Sequence, residues 1–561
     1  MRVAEAIGRE LVRQGLDQVF GVVGSGNFHV TNALVGAGAR FVATRHEAGA
    51  TIMGDAYART TGRVAAVTVH QGCGLTNALT GITEAAKSRT PLLVLAADTA
   101  TWNVLSNFHI DQPAVLRGLG VHSESITSPG TAVQEAVRAF RRAAVDRRTV
   151  VLNLPLDVQD ADVPPDALPV LPPPELDAVA PGARSVERLA DLLRSAERPV
   201  FIAGRGARLS AARGALIDLG ELSGALLATS AVARGLFAGH EWSIDVSGGF
   251  ASPLTAELVG SADLVVGWGA SLNVWTLRNG ELVAPGATVV QVDDDGAAIG
   301  THVPVDLGVV GDVRVTAEAT AELLRARPRS STTWRTRELR ERIGTELSWR
   351  SVPFDDSSTG ELIDPRTLTI ALDGILPRER VLAPDGGNFN GYPAMFLDVP
   401  DERAYCLTLA FQSIGLGLST AIGAGLASPG RVAVAGVGDG GFMMSHVELD
   451  TAVRLGVPLV VVVYNDHAYG AEVHHFGPEG HPLEIVEFPE TDIAAIARGY
   501  GCEAVTVRTV DDLKAVRDWV DGPRRPPLVI DARTTSFASW MIAHSFAGES
   551  ADHIPEDGSL D

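Results

Sequence analysis

Short runs of apolar, mostly β-branched residues recur along the chain, and between them apolar positions return every three to four residues. In the first third these runs fall at residues 19–23, 41–43, 64–69, 92–96 and 150–153. Runs this short, with no polar alternation, predict strands buried on both faces, and helices alternating with them predict a parallel sheet covered on both sides. The pattern stops where VPPDALPVLPPPELDAVAPG begins at Val163, a stretch without period that reads as a semi-rigid surface linker. It resumes with runs at 199–203, 264–268 and 288–292, gives way to a charged helical segment at 334–350 and a polar stretch at 355–361, and returns from 364 onward. The expected fold class is α/β, with three doubly wound parallel-sheet domains at 1–163, 183–330 and 364–533, linkers at 164–182 and 331–363, and a tail at 534–561. In that tail SFASWMIAHSF is a candidate lid, and the acidic end after it is expected to be mobile.

Length agrees with this division, because 561 residues exceed what one core organises. A net charge of −22 without a basic block argues against a nucleic-acid footprint and against an anionic membrane surface. Cys73, Cys406 and Cys502 are odd in number and far apart, which suggests neither a disulfide framework nor a clustered metal site and fits a reducing cytosol. Cys73 is expected as a small buried packing residue. Glu5, Arg9, Glu10 and Arg13 interrupt the first helix, which lacks the pattern of a signal peptide. No stretch reaches the ~18 uncharged apolar residues of a membrane span, so a soluble cytoplasmic protein is expected.

Candidate chemistry is densest between Gly438 and Gly470, in GDGGFMMSHVELDTAVRLGVPLVVVVYNDHAYG. The run predicts strand, tight turn, one amphipathic helix, strand, tight turn, so Asp439 and Asp466 should emerge at one carboxyl edge of a parallel sheet. Ligands bind at that edge in open α/β sheets. Two carboxylates ask for a hard cation, and glycine-flanked N–H groups beside it can hold phosphate. The implied ligand is a Mg²⁺-bound diphosphate.

The paired turns resemble the thiamine-diphosphate binding motif, in which GDG is followed by an Asn/Asp-rich turn one helix and one strand later. That resemblance implies metal ligation by Asp439, Asp466 and the carbonyl of Ala468, with Asp466 standing where Asn is usual. It implies cofactor contacts along Gly438, Gly440, Gly441, His467, Tyr469 and Gly470, and at Gly387 and Asn388 in the Asp-Gly-Gly-Asn-Phe loop that starts at Asp385. Three α/β units with the metal motif in the third match the order of thiamine enzymes similar to pyruvate decarboxylase, acetolactate synthase and benzoylformate decarboxylase. Their first domain binds the pyrimidine, their third the diphosphate, and their sites lie between subunits of a homodimer or homotetramer. By the same resemblance Glu47, in Arg-His-Glu47-Ala-Gly-Ala50, would bond N1′ of the aminopyrimidine and help its amino group take the C2 proton. Ile414 would wedge beneath the cofactor, and the Gln412 carbonyl would accept from the 4′-amino group.

Substrate residues follow less closely. His70, at the end of a strand where acetolactate synthases usually carry Ser-Gly-Pro-Gly, resembles the histidine arrangement of benzoylformate decarboxylase and can relay protons near neutral pH. His29, His109 and Gln112 are further candidates, as are His467, Tyr469, His474 and His475. Gly204-Arg-Gly206 is a weak dinucleotide signal, so FAD or ADP in the central domain ranks below a structural use. The reaction implied is a 2-oxo-acid decarboxylation or carboligation on a small oxo acid or aldehyde. Alternatives are a 2-hydroxyacyl-CoA lyase releasing formyl-CoA from an acyl-CoA, and a non-catalytic thiamine-fold regulatory subunit.

Overall fold

The apolar runs become strands with both faces covered, as the wholly buried Val150–Pro155 and Leu459–Asn465 illustrate. The computed structural model describes residues 1–167, 169–170, 172, 176–328, 334–539 and 542, and its strands form three parallel sheets. The first contains β1 (Gln18–Gly21), β2 (Arg40–Ala43), β3 (Ala65–Val69), β4 (Leu92–Asp98), β5 (His122–Ser125) and β6 (Val150–Pro155), in the order β2-β1-β3-β4-β6-β5. The second contains β7 (Pro199–Ala203), β8 (Leu226–Thr229), β9 (Ser243–Val246), β10 (Leu264–Trp268), β11 (Thr288–Asp293) and β12 (Leu307–Val310), in the order β12-β11-β10-β7-β8-β9. The third contains β13 (Arg380–Pro384), β14 (Val432–Gly438), β15 (Leu459–Asn465), β16 (Glu503–Val507) and β17 (Leu528–Arg533), in the order β13-β14-β15-β17-β16.

A parallel bridge from Leu382 to Tyr405 extends the third sheet beyond β13. With that segment counted as a strand, the third sheet winds as the first does. Strand order reverses between β1 and β3, between β7 and β10, and between β13 and β14, and each reversal opens a crevice at the carboxyl edge.

Strands β5, β9 and β12 escape the apolar-run reading because they lie at sheet edges and are short and partly exposed. Strand β8 is buried but only four residues long, and the alanine-rich sequence around it does not set it apart. The charged segment at 334–350 forms a shorter helix than expected, Arg337–Glu346. In the expected proline-rich linker, residues 164–167 and 176–182 carry no helix or strand. The candidate lid lies, past Ser539 and apart from Ile542, outside the described residues. No helix among the described residues is long and apolar enough to cross a membrane.

One helix was expected between β14 and β15, and there are two. Asp439–Ser445 and Leu449–Leu455 are separated by a 3₁₀ turn, His446–Glu448. Glu448 sits on that turn and reaches the first unit, where its carboxylate accepts the N–H groups of Arg45 at 3.1 Å and His46 at 2.9 Å. The first and third units also share a core. Helix Glu47–Thr61 packs on helix Gly417–Ala427 so closely that a Cβ at Gly423 would lie 2.3 Å from the Met53 carbonyl oxygen.

Candidate functional site

The β13/β14 crevice is a cavity of about 390 Å³. Three strand ends feed it: β13 delivers Gly386, Gly387 and Asn388, β14 delivers Gly438 to Gly441, and β15 delivers Asp466, Ala468, Tyr469 and Gly470. Gln412 and Ile414 form part of its wall. Glycine is required by proximity at Gly440, where a Cβ would lie 2.5 Å from the Tyr469 ring, and at Gly470, where it would lie 2.5 Å from an Asp466 carboxylate oxygen. The two turns of the sequence motif therefore meet here.

Burial, and then the charge of Asp466, push the Asp439 carboxyl up to about 7, while burial pushes Asp466 up to about 6. A pair of carboxylates that resists joint ionisation fits a divalent cation, which would remove the penalty. No group of three or more His, Cys, Asp or Glu side chains able to hold a metal exists among the described residues. A cation here would complete its shell with backbone oxygen, such as the Ala468 carbonyl, and with the oxygens of its own ligand.

The other candidates around the crevice differ in their partners. His467 adopts φ +59°, is absent from the lining, and turns its ring nitrogen to Arg533 at 3.0 Å. Asn388 spends its side chain on the tail, donating to the Phe537 carbonyl and accepting from Ser539 N–H, although it lines the cavity. His475 lines the cavity, whereas His474 faces Ser536. Sequence reading missed Asp385, a buried carboxylate that accepts N–H groups of Gly386, Gly415 and Leu416 and so fixes the turn after Ile414. Its signal was present: an acidic residue directly after a buried strand.

Glu47 begins helix Glu47–Thr61, is almost buried, and accepts from the Asn77 side chain at 3.1 Å. Neither it nor any other residue of the first unit lines the β13/β14 cavity. His70 follows β3. A carbonyl cannot donate, so the contact between His70 Nδ1 and the Gln71 oxygen at 3.0 Å places a proton on Nδ1. Nε2 faces the Ser25 hydroxyl at 3.3 Å, and Phe108 packs edge-on against the ring. His109 is exposed with Nδ1 3.0 Å from the Thr99 hydroxyl, and His29 is exposed beside Phe28. Gln112 lies behind the His70 turn. It has no exposed surface, accepts from Gly72 N–H, and donates to the Ala97 carbonyl and the Asn153 side chain, so its amide is committed to shaping the His70 turn. Cys73 is exposed, against expectation, and all three cysteines are free.

The β7/β10 crevice is a second cavity, of about 330 Å³, lined by Arg59, Lys87, Arg89, Arg147, Arg205 and Arg208 among others. It shares Trp275, Leu409 and Gln412 with the first. Burial and the neighbouring arginines push the Arg205 guanidinium down, whereas Asp293 and Asp294 share the lining and Arg59, Arg89 and Arg147 are already paired with Glu84, Asp295 and Asp294.

Three wound sheets, with a glycine-lined crevice holding two carboxylates in the third, define an α/β protein built to cradle a diphosphate-bearing cofactor. Family models describe its parts. The thiamine pyrophosphate enzyme N-terminal TPP binding domain matches residues 1–115, the central domain 186–320, and the C-terminal TPP binding domain 385–532. The chain belongs to the thiamine pyrophosphate enzyme family. It is 30% identical over 534 residues to the probable 2-ketoarginine decarboxylase of Pseudomonas aeruginosa, covering 92% of this chain and 91% of that one. It is 27% identical over 539 residues to the sulfoacetaldehyde acetyltransferase of Castellaniella defragrans, covering 91% and 89%. The thiamine diphosphate-dependent 4-hydroxybenzoylformate decarboxylase of Rhodococcus jostii RHA1 shares the fold, with a TM-score of 0.80 at 22% identity over 96% of this chain and 100% of that one.

Proposed function

We propose that this enzyme uses thiamine diphosphate and Mg²⁺ to break or form a carbon–carbon bond next to a carbonyl, as a 2-oxo-acid decarboxylase or carboligase. The observation that carries the reading is the convergence of Asp439 and Asp466 on one glycine-lined crevice. Named relatives support it, since they include a probable 2-ketoarginine decarboxylase and a catabolic acetolactate synthase from Raoultella terrigena. Thiamine diphosphate, when bound, supplies a carbon nucleophile for the carbonyl and a sink for the electron pair of the broken bond.

The chain supplies the rest. Asp439, Asp466 and the Ala468 carbonyl would hold the cation, and backbone N–H groups at Gly387, Gly440 and Gly441 would meet the diphosphate. Ile414, Gln412 and Tyr469 would wall the remainder of the cofactor. Glu47 would hold a proton at the pyrimidine N1′. Because Glu47 stands apart from the crevice of its own chain, a second copy would bring it, in a homodimer or homotetramer. Exposed apolar side chains near both edges favour that assembly: Trp102 and Leu105 are 76% and 92% exposed on the first unit, and Phe411 and Met444 are exposed on the third. His70, oriented through Nδ1, would move a proton at the substrate oxygen through Nε2, with His29 and His109 at the same edge as substrate contacts. The free cysteines favour a cytoplasmic setting.

A 2-hydroxyacyl-CoA lyase remains the second reading, because the arginine-lined cavity adjoins the cradle and could take phosphate groups of a CoA ester, or an ADP or FAD moiety. The test measures thiamine diphosphate bound by the purified protein with Mg²⁺, then turnover on a panel of 2-oxo acids and 2-hydroxyacyl-CoA esters. CO₂ release or ligation supports the first reading and formyl-CoA the second. Failure to bind the cofactor would reject both.

A further inference from the structure

The turn that carries Gln412 and Ile414 is tied at both ends to buried carboxylates, and they come from different units. Beyond Ile414, Asp385 accepts from Gly415 N–H at 2.9 Å and from Leu416 N–H at 3.2 Å. Before Gln412 the acceptor is Glu84 of the first unit, which has no exposed surface. Its Oε1 takes Ala410 N–H at 3.0 Å and its Oε2 takes Phe411 N–H at 2.7 Å. Two successive N–H groups on the two oxygens of one carboxylate fix the direction of the chain as well as its place.

Glu84 is itself held. Arg59 Nη2 lies 2.6 Å from Glu84 Oε1 and 2.7 Å from Asp55 Oδ2, while Arg59 Nη1 donates to the Leu407 carbonyl at 2.6 Å. One buried cluster therefore grips the strand end that leads into the turn and the turn itself. The side chains of Ala410, Phe411 and Gln412 are exposed, with Lys87 over the Phe411 ring at 5.7 Å and the Gln412 amide donating to the Leu409 carbonyl at 2.8 Å, while the ties of this stretch to the buried carboxylate run through its backbone. Between the clamps the chain bends through positive φ at Gln412 (+61°) and at Gly415 (+83°). A shift at either clamp would swing the Gln412 carbonyl and the Ile414 side chain relative to the diphosphate cradle.

We propose that Glu84 is a positioning residue for the cofactor. It holds the Ala410–Phe411 backbone against the first unit and thereby sets the place of Gln412 and Ile414. The inference rests on the reading of those two residues as a wall of the thiamine diphosphate site. A merely stabilising ion cluster makes a different forecast, and Asp55 separates the two, because it shares Arg59 but touches no N–H of the turn.

The experiment compares Glu84→Gln with Asp55→Asn, measuring the dissociation constant of thiamine diphosphate at saturating Mg²⁺ and the circular dichroism of the bound aminopyrimidine, at a temperature where all proteins are folded. Glu84→Gln is expected to weaken binding about tenfold and alter the bound spectrum, with Asp55→Asn within about twofold of wild type, since misplacement of a positioning group costs binding and catalysis well beyond its own contact. Equal effects of the two variants, or an unchanged constant for Glu84→Gln, would overturn the proposal. Hydrogen exchange on the cofactor-free wild-type chain tests the clamp independently of any variant. Slow exchange at Ala410 and Phe411 is expected, and exchange as fast as in open loops would overturn it. If wild-type protein binds no thiamine diphosphate, the functional reading has failed; if it binds and Glu84→Gln binds equally well, only this inference has failed.

Discussion

Asp439 and Asp466 show how much of the site rests on single carboxyl groups whose environment opposes their charge. Both have folded pKa values raised above the ordinary carboxylate value, to about 7 and about 6, by burial and, for Asp439, by the other's charge. A raised carboxyl pKa means that the folded state binds more protons, so this pair's contribution to stability is fully present below about pH 4 and is lost as pH rises through about 6 to 7. Mg²⁺ should reverse that loss. The gain in melting temperature on adding Mg²⁺ and thiamine diphosphate over a chelator control is therefore expected to be small near pH 5 and large near pH 8. A gain independent of pH would remove these carboxyls from the cation site. Gly440→Ala should abolish cofactor uptake with little loss of fold, because its Cβ would meet the Tyr469 ring that faces the cradle. Glu47→Gln should lower turnover by about 10² to 10⁴-fold, the usual contribution of a proton-transfer group, while leaving Mg²⁺ binding intact. Sequence alone placed Asp439, Asp466 and Glu47 on the ends of their elements. It could not place Gln112 or Glu84, whose partners include Ala97, 15 positions away in the chain, and Phe411, 327 positions away, and were chosen by packing.

At the scale of elements, helix Glu47–Thr61 does two jobs. Its first residue is Glu47, and its later turns carry Asp55 and Arg59 of the cluster behind the Gln412 turn. Its path is set by contact with helix Gly417–Ala427 at Gly423. Gly423→Ala should cost about 1 to 3 kcal/mol, as overpacking does, read as a lower melting temperature. Gly374→Ala, in helix Pro365–Ile375 with open space around the position, should instead be neutral or stabilising by up to about 1 kcal/mol. Equal effects at the two positions would show that helix propensity, and not the helix crossing, decides. Apolar periodicity announced most buried strands, but it failed at the edges and ran past the break at His446–Glu448. Periodicity reports which face is buried, whereas the break serves Glu448, whose carboxylate is bound to N–H groups of the residues that precede Glu47.

At the scale of the whole molecule, a site assembled from two copies makes a quantitative forecast. Glu47→Gln and Asp439→Asn should each be inactive alone. After dissociation and reassembly of an equal mixture, half of the dimers pair the two variants, each with one intact site, so about a quarter of wild-type activity should return. A site closed within one chain would return none. Three wound sheets, their order along the chain and the two turns of the cradle were determined by the sequence itself, because apolar run length and glycine-flanked turns act over neighbouring residues. Tertiary structure alone decided that Gln112 is committed to Gly72, Ala97 and Asn153, that Asn388 binds the tail, and that Glu84 reaches into the third unit. The reason is physical: a buried polar group takes whichever partners the packed core leaves within hydrogen-bond reach, and local pattern carries no record of a partner that is distant in the chain.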